Sequence, residues 1–130
     1  MKGDDMSSEH WKNEPDDRDY PAAADYLSLI LPDAGVGAAV AALRAAPLSH
    51  RKAKDLLRAS ALPLLASDNV HVAKDLAKVK KGVPLSPVLL LRGSLDRGLP
   101  LTVADGYHRI CASHHLDEDA DIPCRIVDQS

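Results

Sequence analysis

The chain has 130 residues, 45% hydrophobic and 27% charged, a composition that suits one domain with a modest core. Its longest apolar stretches, such as residues 87–91, fall well short of the roughly 20 residues that a membrane helix needs, so we expect no membrane span. Residues 1–21 lack the apolar core of a signal peptide, and Cys111 and Cys124 are too few for a disulfide scaffold. We therefore expect a cytoplasmic protein whose two thiols are reduced core residues.

The net charge of -3 is unevenly distributed along the chain. Residues 1–20 carry seven acids and three bases, a net of -4, and residues 116–130 carry five acids and one base, also -4. Residues 21–115 carry seven acids and twelve bases, a net of +5. A basic middle segment favours an anionic ligand near the centre of the chain, although a solvated helix face is the commoner explanation for most of these lysines.

The N-terminal part of the chain divides into a polar tail and a helical extension. Residues 1–20 are acidic and poor in apolar residues, which predicts disorder, with Trp11 as a side chain that could dock on the domain or on a partner. We interpret residues 21–130 as a single domain. Its first part, residues 21–60, is expected to form helices capped by Asp33 and Ser49, at residues 22–31, 34–46 and 50–59.

Residues 61–128 have the pattern of an α/β core. Residues 67–69 offer an N-cap signal for a helix, and Gly82 is placed to end that helix. The predicted order is β-α-β-β-α-β, which indicates a small mixed sheet with packed helices. The predicted elements are the strand 62–65, the helix 70–81, the strands 88–92 and 101–104, the helix 107–116 and the strand 122–127.

The most informative stretch is the turn Asp105-Gly106-Tyr107-His108-Arg109, where an apolar strand runs directly into a helix. The first amides of a helix lack internal partners and carry the positive end of the dipole, and a glycine there lets an anion approach closely. Cations are unfavourable in that first turn, so His108 and Arg109 make most sense beside a bound anion, which Arg109 could grip with two parallel hydrogen bonds. The pattern predicts a phosphate site.

Each group of this turn has an expected role, and one alternative stays open. Gly106 and the amides of Tyr107 and His108 would cradle the phosphate, and Asp105 or His108 would handle a proton. Asp105 could instead be the N-cap of an ordinary helix, or could contact Mg²⁺ that arrives with a nucleotide. Mg²⁺ with a nucleotide is the expected cofactor, and the sequence leaves any other unknown.

In order and spacing, several motifs of residues 62–127 resemble the ParB/sulfiredoxin superfamily. These are Gly82, the Pro-led strand entry at residues 84–88, the phosphate turn at 105–109 and the Ile-Pro-led strand at 122–127. The resemblance implies a small mixed sheet with packed helices and a nucleotide or phosphate site at the start of the helix 107–116. It also implies that residues after the first strand face the ligand, at positions matching Asp68, Asn69, His71 and Lys74.

Departures from the family narrow the expected activity. Sulfiredoxins carry Gly-Cys-His-Arg in the turn, and Tyr107 occupies the position of the catalytic cysteine, so sulfinic-acid repair is rejected. ParB proteins carry Gly-Glu-Arg-Arg, of which only Gly106 and Arg109 match, and no helix-turn-helix domain follows before Ser130. We expect a nucleotide or phosphorylated small molecule as ligand, with phosphoryl transfer or hydrolysis as the reaction if the protein is an enzyme.

The remaining polar clusters have simpler interpretations. His114 and His115 suit a helix C-terminus, and no spacing predicts a metal site built from His or Cys. The basic run Arg51, Lys52, Lys54 and Arg58 is typical of a solvated face but could contact a DNA backbone. The alternative function is therefore a non-catalytic DNA-associated module that uses helices 50–58 and 70–81 and acts with a partner chain. Whether the protein forms a homodimer is left open by the sequence.

Overall fold

A computed structural model describes residues 10–129 of the chain. Within them the protein is a mixed α/β structure, as expected from the sequence, with five helices around a four-stranded sheet. In chain order the elements are α1 (Asp19–Leu27), α2 (Asp33–Ala45), β1 (Ser49–Lys52), α3 (Ala53–Ser60), α4 (Val70–Lys80), β2 (Val88–Arg92), β3 (Thr102–Asp105), α5 (Tyr107–Leu116) and β4 (Asp121–Asp128).

The strand order of the sheet is β1-β4-β2-β3. The central strands β4 and β2 run parallel, with Val88 opposite Cys124, whereas β1 and β3 are antiparallel to their neighbours. Asp105, the last residue of β3, pairs with Leu89 near the start of β2. The Asp105-Gly106 turn consequently lies beside the segment that enters β2.

Helices cover both faces of the sheet, which explains the unbroken apolar run of β2. Val88 and Leu90 belong to the core cluster shared with α3, α4 and α5, whereas Leu89 and Leu91 belong to the cluster shared with α1 and α2. A strand buried on both faces needs apolar residues at every position, not at alternate ones. None of the helices that the structure describes has the length and apolar character of a membrane span.

Elements with strong local signals lie close to their predicted positions. The strand 88–92 and the helix 107–116 have the predicted bounds. Helix α4 ends at Lys80, shortly before Gly82, whose φ of +77° favours glycine. The side chain of Asn69 caps α4, because its Oδ1 accepts hydrogen bonds from the amides of His71 and Val72.

The helix predicted at residues 50–59 is wrong for its first three residues. Residues 49–52 form the strand β1, with Ser49 opposite Cys124 and Lys52 opposite Asp121, and the helix begins only at Ala53. Ser49 is therefore no N-cap. Pairing with β4, about 70 residues later in the chain, determines this conformation, and the local sequence does not predict it.

The strand predicted at residues 62–65 is also wrong, because this segment forms no sheet pairing. Its carbonyls instead accept hydrogen bonds from side chains of α5. The Pro63 oxygen accepts from the Tyr107 hydroxyl at 2.6 Å, and the Leu65 oxygen lies 2.7 Å from His115 Nε2. The sheet thus takes its first strand from the region expected to be purely helical.

The prediction that residues 1–20 are disordered is wrong for residues 10–20. Residues 1–9 lie outside the described part of the chain. Trp11 is only 7% exposed and joins the core cluster that contains Leu85. Main-chain hydrogen bonds from Lys12 N to Leu85 O (2.7 Å) and from Leu85 N to His10 O (2.8 Å) anchor this segment. Burial of a large indole together with backbone pairing orders a stretch whose composition is otherwise polar.

Candidate functional site

The turn between β3 and α5 requires a glycine for two independent reasons. Gly106 has a φ of +112°, a conformation that side chains with a Cβ rarely adopt. A Cβ built on Gly106 would lie 2.8 Å from Val88 Cβ and closer still to Val88 Cγ1. The glycine therefore lets the turn pack directly on the first residue of β2.

Asp105 does not cap helix α5. The N-cap is Gly106, which offers no side chain, and Oδ2 of Asp105 instead accepts a hydrogen bond from Arg109 Nη2 at 2.9 Å. The interpretation of Asp105 as an N-cap is thus wrong. Because of this, the amides in the first turn of α5 are left without a side-chain partner.

Arg109 points its guanidinium at acceptors inside the protein. Besides Asp105, its Nη2 contacts the Pro87 carbonyl oxygen at 3.3 Å and Asp19 Oδ2 at 4.0 Å, and the side chain is only 17% exposed. Burial raises the pKa of Asp105, while the Arg109 charge opposes this rise and Asp19 adds to it. The sequence suggested that Arg109 binds an anion, but an anion would have to compete with these contacts for the guanidinium. The contacts indicate instead that Arg109 stabilises the turn.

A cleft of about 230 Å³ opens beside this turn, between the start of α5 and one face of α4; we call it the α4–α5 cleft. It contains all five residues of the predicted phosphate turn and two of the four positions that the family resemblance suggested. Its lining residues are His71, Lys74, Asp75, Lys78, Asp105, Gly106, Tyr107, His108 and Arg109.

Helical spacing explains which residues of α4 reach the cleft. Counting from His71, the other three lie at i+3, i+4 and i+7, which places all four on one face of the helix. His71 and Lys74 were predicted from the sequence to face the ligand, whereas Asp75 and Lys78 were not. The same spacing, applied to polar residues as it was to the apolar stripe, could have found them.

Two of the suggested ligand-facing residues do not line the cleft. The Asn69 side chain is engaged as the cap of α4, and Asp68 is exposed in the preceding turn. They lie before the first turn of the helix, whereas the cleft begins at His71. The structure thus brings together His71 and Lys74 with the turn, and separates Asp68 and Asn69 from it.

His108 and Asp75 face each other's walls of the cleft, and the pKa of each is shifted from its ordinary value. Burial lowers the pKa of His108, and His71, whose ring centroid is 4.7 Å away, lowers it further, as does Arg109, whereas Asp75 opposes this. Burial raises the pKa of Asp75, although the neighbouring Arg109, Lys78, His108 and His71 lower it. The raised pKa moves Asp75 toward neutral pH, whereas the lowered pKa favours the neutral form of the His108 ring there.

The other side chains considered from the sequence lie away from the cleft. Cys111 and Cys124 are fully buried, as expected, and burial raises the pKa of both thiols. His115 contacts Leu65, and Lys54 forms an ion pair with Asp119 at 2.6 Å. Across residues 10–129, no three or more His, Cys, Asp and Glu side chains are grouped so that they could hold a metal ion.

Comparisons with protein-family models, with curated proteins and with solved structures gave no match for this chain.

Proposed function

We propose that the α4–α5 cleft binds the phosphate of a nucleotide or of a phosphorylated small molecule. The observation that carries the proposal is that the uncapped first turn of α5 shares a cleft with two lysines of α4, Lys74 and Lys78. Free amides and the helix dipole supply directed donors, and the two ammonium groups supply charge. An anion is the ligand that satisfies both walls at once.

The size of the cleft suits a phosphate group better than a whole ligand. Its volume of about 230 Å³ lies below the roughly 300–1,000 Å³ typical of pockets that enclose drug-sized molecules. The phosphate would therefore sit in the cleft while the remainder of the ligand extends outward. Because Arg109 and Gly106 fix the turn, the amide donors are already oriented before the ligand arrives.

Membership of the ParB/sulfiredoxin superfamily is part of this proposal. It is supported by the order of motifs in the sequence and by the position of the cleft at a strand–glycine–helix turn. The two parallel central strands and the helix that follows Gly106 are compatible with it. In this view Tyr107, which stands where sulfiredoxins have cysteine, serves the scaffold through its hydrogen bond to Pro63.

If the bound phosphate reacts, His108 and Asp75 are the groups that we propose for proton transfer. A lowered pKa keeps the His108 imidazole neutral and able to accept a proton from water or a hydroxyl group. Among residues 10–129, Asp75 has no cation within ion-pair distance, unlike Asp105. A Mg²⁺ carried by a nucleotide would neutralise charge on the phosphates and would leave Asp75 and His108 to handle the proton.

The proposal is tested by calorimetric titration of the full chain with pyrophosphate and ADP, each with and without Mg²⁺. The double variant Lys74→Ala/Lys78→Ala should bind at least about tenfold more weakly, since a hydrogen bond to a charged group contributes about 1.5–3 kcal/mol. The matched control is Lys80→Ala/Lys81→Ala, which removes the same charge from exposed positions of the same helix end. Equal losses in both double variants would reject the cleft as the binding site.

Duplex DNA is the comparison ligand for the alternative function. DNA binding that falls steeply with salt and is weakened equally by both double variants would favour the DNA-associated module, because backbone contacts depend on total charge. Two bases of the run 51–58 are less available for a DNA backbone, since Lys54 is already paired with Asp119 and Arg58 lies 3.6 Å from Asp55. Binding of pyrophosphate without binding of duplex DNA would support the phosphate site.

A further inference from the structure

A second and larger cleft lies on α3, away from the phosphate site. Its volume is about 800 Å³, and it is bounded by α3 and by residues 92–101, which leave β2 and return toward β3. It shares no lining residue with the α4–α5 cleft. We call it the α3 cleft; its apolar wall is formed mainly by Leu56, Ala59, Leu99, Leu101 and Ile126.

Three arginines stand around this apolar wall: Arg51, Arg58 and Arg92. Asp55 is the one acid among the lining residues, so the lining carries a net charge of +2. Arg92 is paired with Asp128 at 2.7 Å, and Arg58 contacts Asp55 only loosely. Arg51 has no carboxylate within 4.0 Å among the residues that the structure describes. Of the basic run at residues 51–58, Arg51 and Arg58 therefore line this cleft, whereas Lys52 and Lys54 do not.

The wall of the α3 cleft formed by residues 92–101 is braced by backbone hydrogen bonds. Ser94 and Leu99 exchange two of them, each 2.9 Å long, and the amide of Leu101 donates to the Ala59 carbonyl, also at 2.9 Å. Gly93 packs so closely on Leu99 and Pro100 that an added Cβ would lie 2.5 Å from the Leu99 oxygen. The cleft is thus preformed, as small-molecule sites usually are.

We infer that the α3 cleft binds a small amphipathic anion, a molecule with an apolar body and one terminal carboxylate or comparable group. Pockets of about 300–1,000 Å³ with apolar walls and a few polar groups typically hold small ligands, and this cleft matches them in size and lining. The apolar body would cover Leu56, Leu101 and Ile126, while Arg51 would pair with the anionic end. This inference stands independently of the phosphate site.

The test uses the fluorescent amphipathic anion anilinonaphthalene sulfonate and its displacement from the full chain by decanoate, below the micellar concentration. Decanol, which has the same chain without the charge, is the matched competitor. Decanoate should displace the dye at lower concentration than decanol. Failure of the dye to bind the folded chain, or displacement by decanol at equal concentration, would overturn the inference.

Two variants locate the binding. Ala59→Phe fills the cleft from an exposed position of α3 and should abolish the displaceable fluorescence, whereas Ala77→Phe on the exposed face of α4 should leave it unchanged. Arg51→Gln should raise the decanoate dissociation constant about threefold or more, and Arg97→Gln, at the exposed tip of the loop, should not. Dye binding that persists undiminished in Ala59→Phe would place the ligand elsewhere and refute the site.

Discussion

Nη2 of Arg109 lies 2.9 Å from Oδ2 of Asp105, and this contact spans the glycine at which β3 becomes α5. The pair is mostly buried, and Asp19 of α1 adds a second carboxylate at 4.0 Å. The contact therefore joins the last residue of a strand, the first turn of a helix and a helix on the far side of the sheet. It also directs the Asp105 carboxylate away from the amides that the proposed phosphate needs.

The first prediction concerns Arg109→Ala. Removing the guanidinium leaves two buried carboxylates without their cation, so we expect the free energy of unfolding to fall by about 2–4 kcal/mol. Urea denaturation followed by the fluorescence of the single tryptophan measures this change. Arg97→Ala, at an exposed position, should change stability by less than about 0.5 kcal/mol. A stable Arg109→Ala protein that no longer binds pyrophosphate would show instead that Arg109 belongs to the ligand site.

The second prediction concerns the glycine of the turn. Gly106→Ala meets both a positive φ and a contact with Val88, and we expect a loss of about 2–5 kcal/mol in the free energy of unfolding. Gly98→Ala is the matched control, because Gly98 has a φ of +67° but open space around its Cβ position. It should cost only the conformational part, about 1–2 kcal/mol. Equal losses in the two variants would mean that the close packing on Val88 contributes nothing.

The parts of the fold that the sequence predicted are those with local causes. The helix at 107–116 follows a glycine turn, and α4 follows an asparagine cap, so each boundary is encoded within a few residues. The polar stretch Ser-His-Arg-Lys at 49–52 carries no strand pattern, and only its pairing with β4 makes it β1. The segment 62–65 has the apolar character of a strand, but its carbonyls are taken by side chains of α5.

In the candidate site, too, the features with local causes could be predicted and those set by tertiary packing could not. The turn at 105–109 could be predicted because strand, glycine and helix are adjacent in sequence. Asp75 and Lys78 share a helix face with His71, so helical spacing could have predicted them, and the packing of α4 against α5 identifies that face as the one that meets the turn. The second carboxylate beside Arg109 could not be foreseen, since Asp19 comes from a segment that composition assigned to a disordered tail.

The third prediction concerns Asp75→Asn. Because burial raises the pKa of Asp75 above 3.8, the folded protein holds this proton more tightly than the unfolded chain does. Between 3.8 and the raised pKa, the Asp75 contribution to stability therefore falls as the pH rises. The variant lacks this loss, so its unfolding free energy relative to the wild type should be greater at about pH 7 than at about pH 4. A difference that is constant with pH, or that shrinks as the pH rises, would contradict the raised pKa.

The last prediction links His108 to anion binding. His108 faces His71, Asp75 and Arg109, and burial together with His71 and Arg109 holds its pKa below 6.5, so the neutral ring is favoured at neutral pH. An anion in the cleft favours the protonated ring, and its affinity should therefore rise as the pH falls through this range, by at most about tenfold per pH unit for one coupled proton.

Sulfate is the suitable probe, since its charge stays constant there, whereas the second ionisation of a phosphate group lies near pH 6. Calorimetry should show this slope for the wild type and for His50→Gln, an exposed site outside the cleft, but a smaller slope for His108→Gln. If His108→Gln keeps the full slope, His108 does not exchange the proton that accompanies the anion.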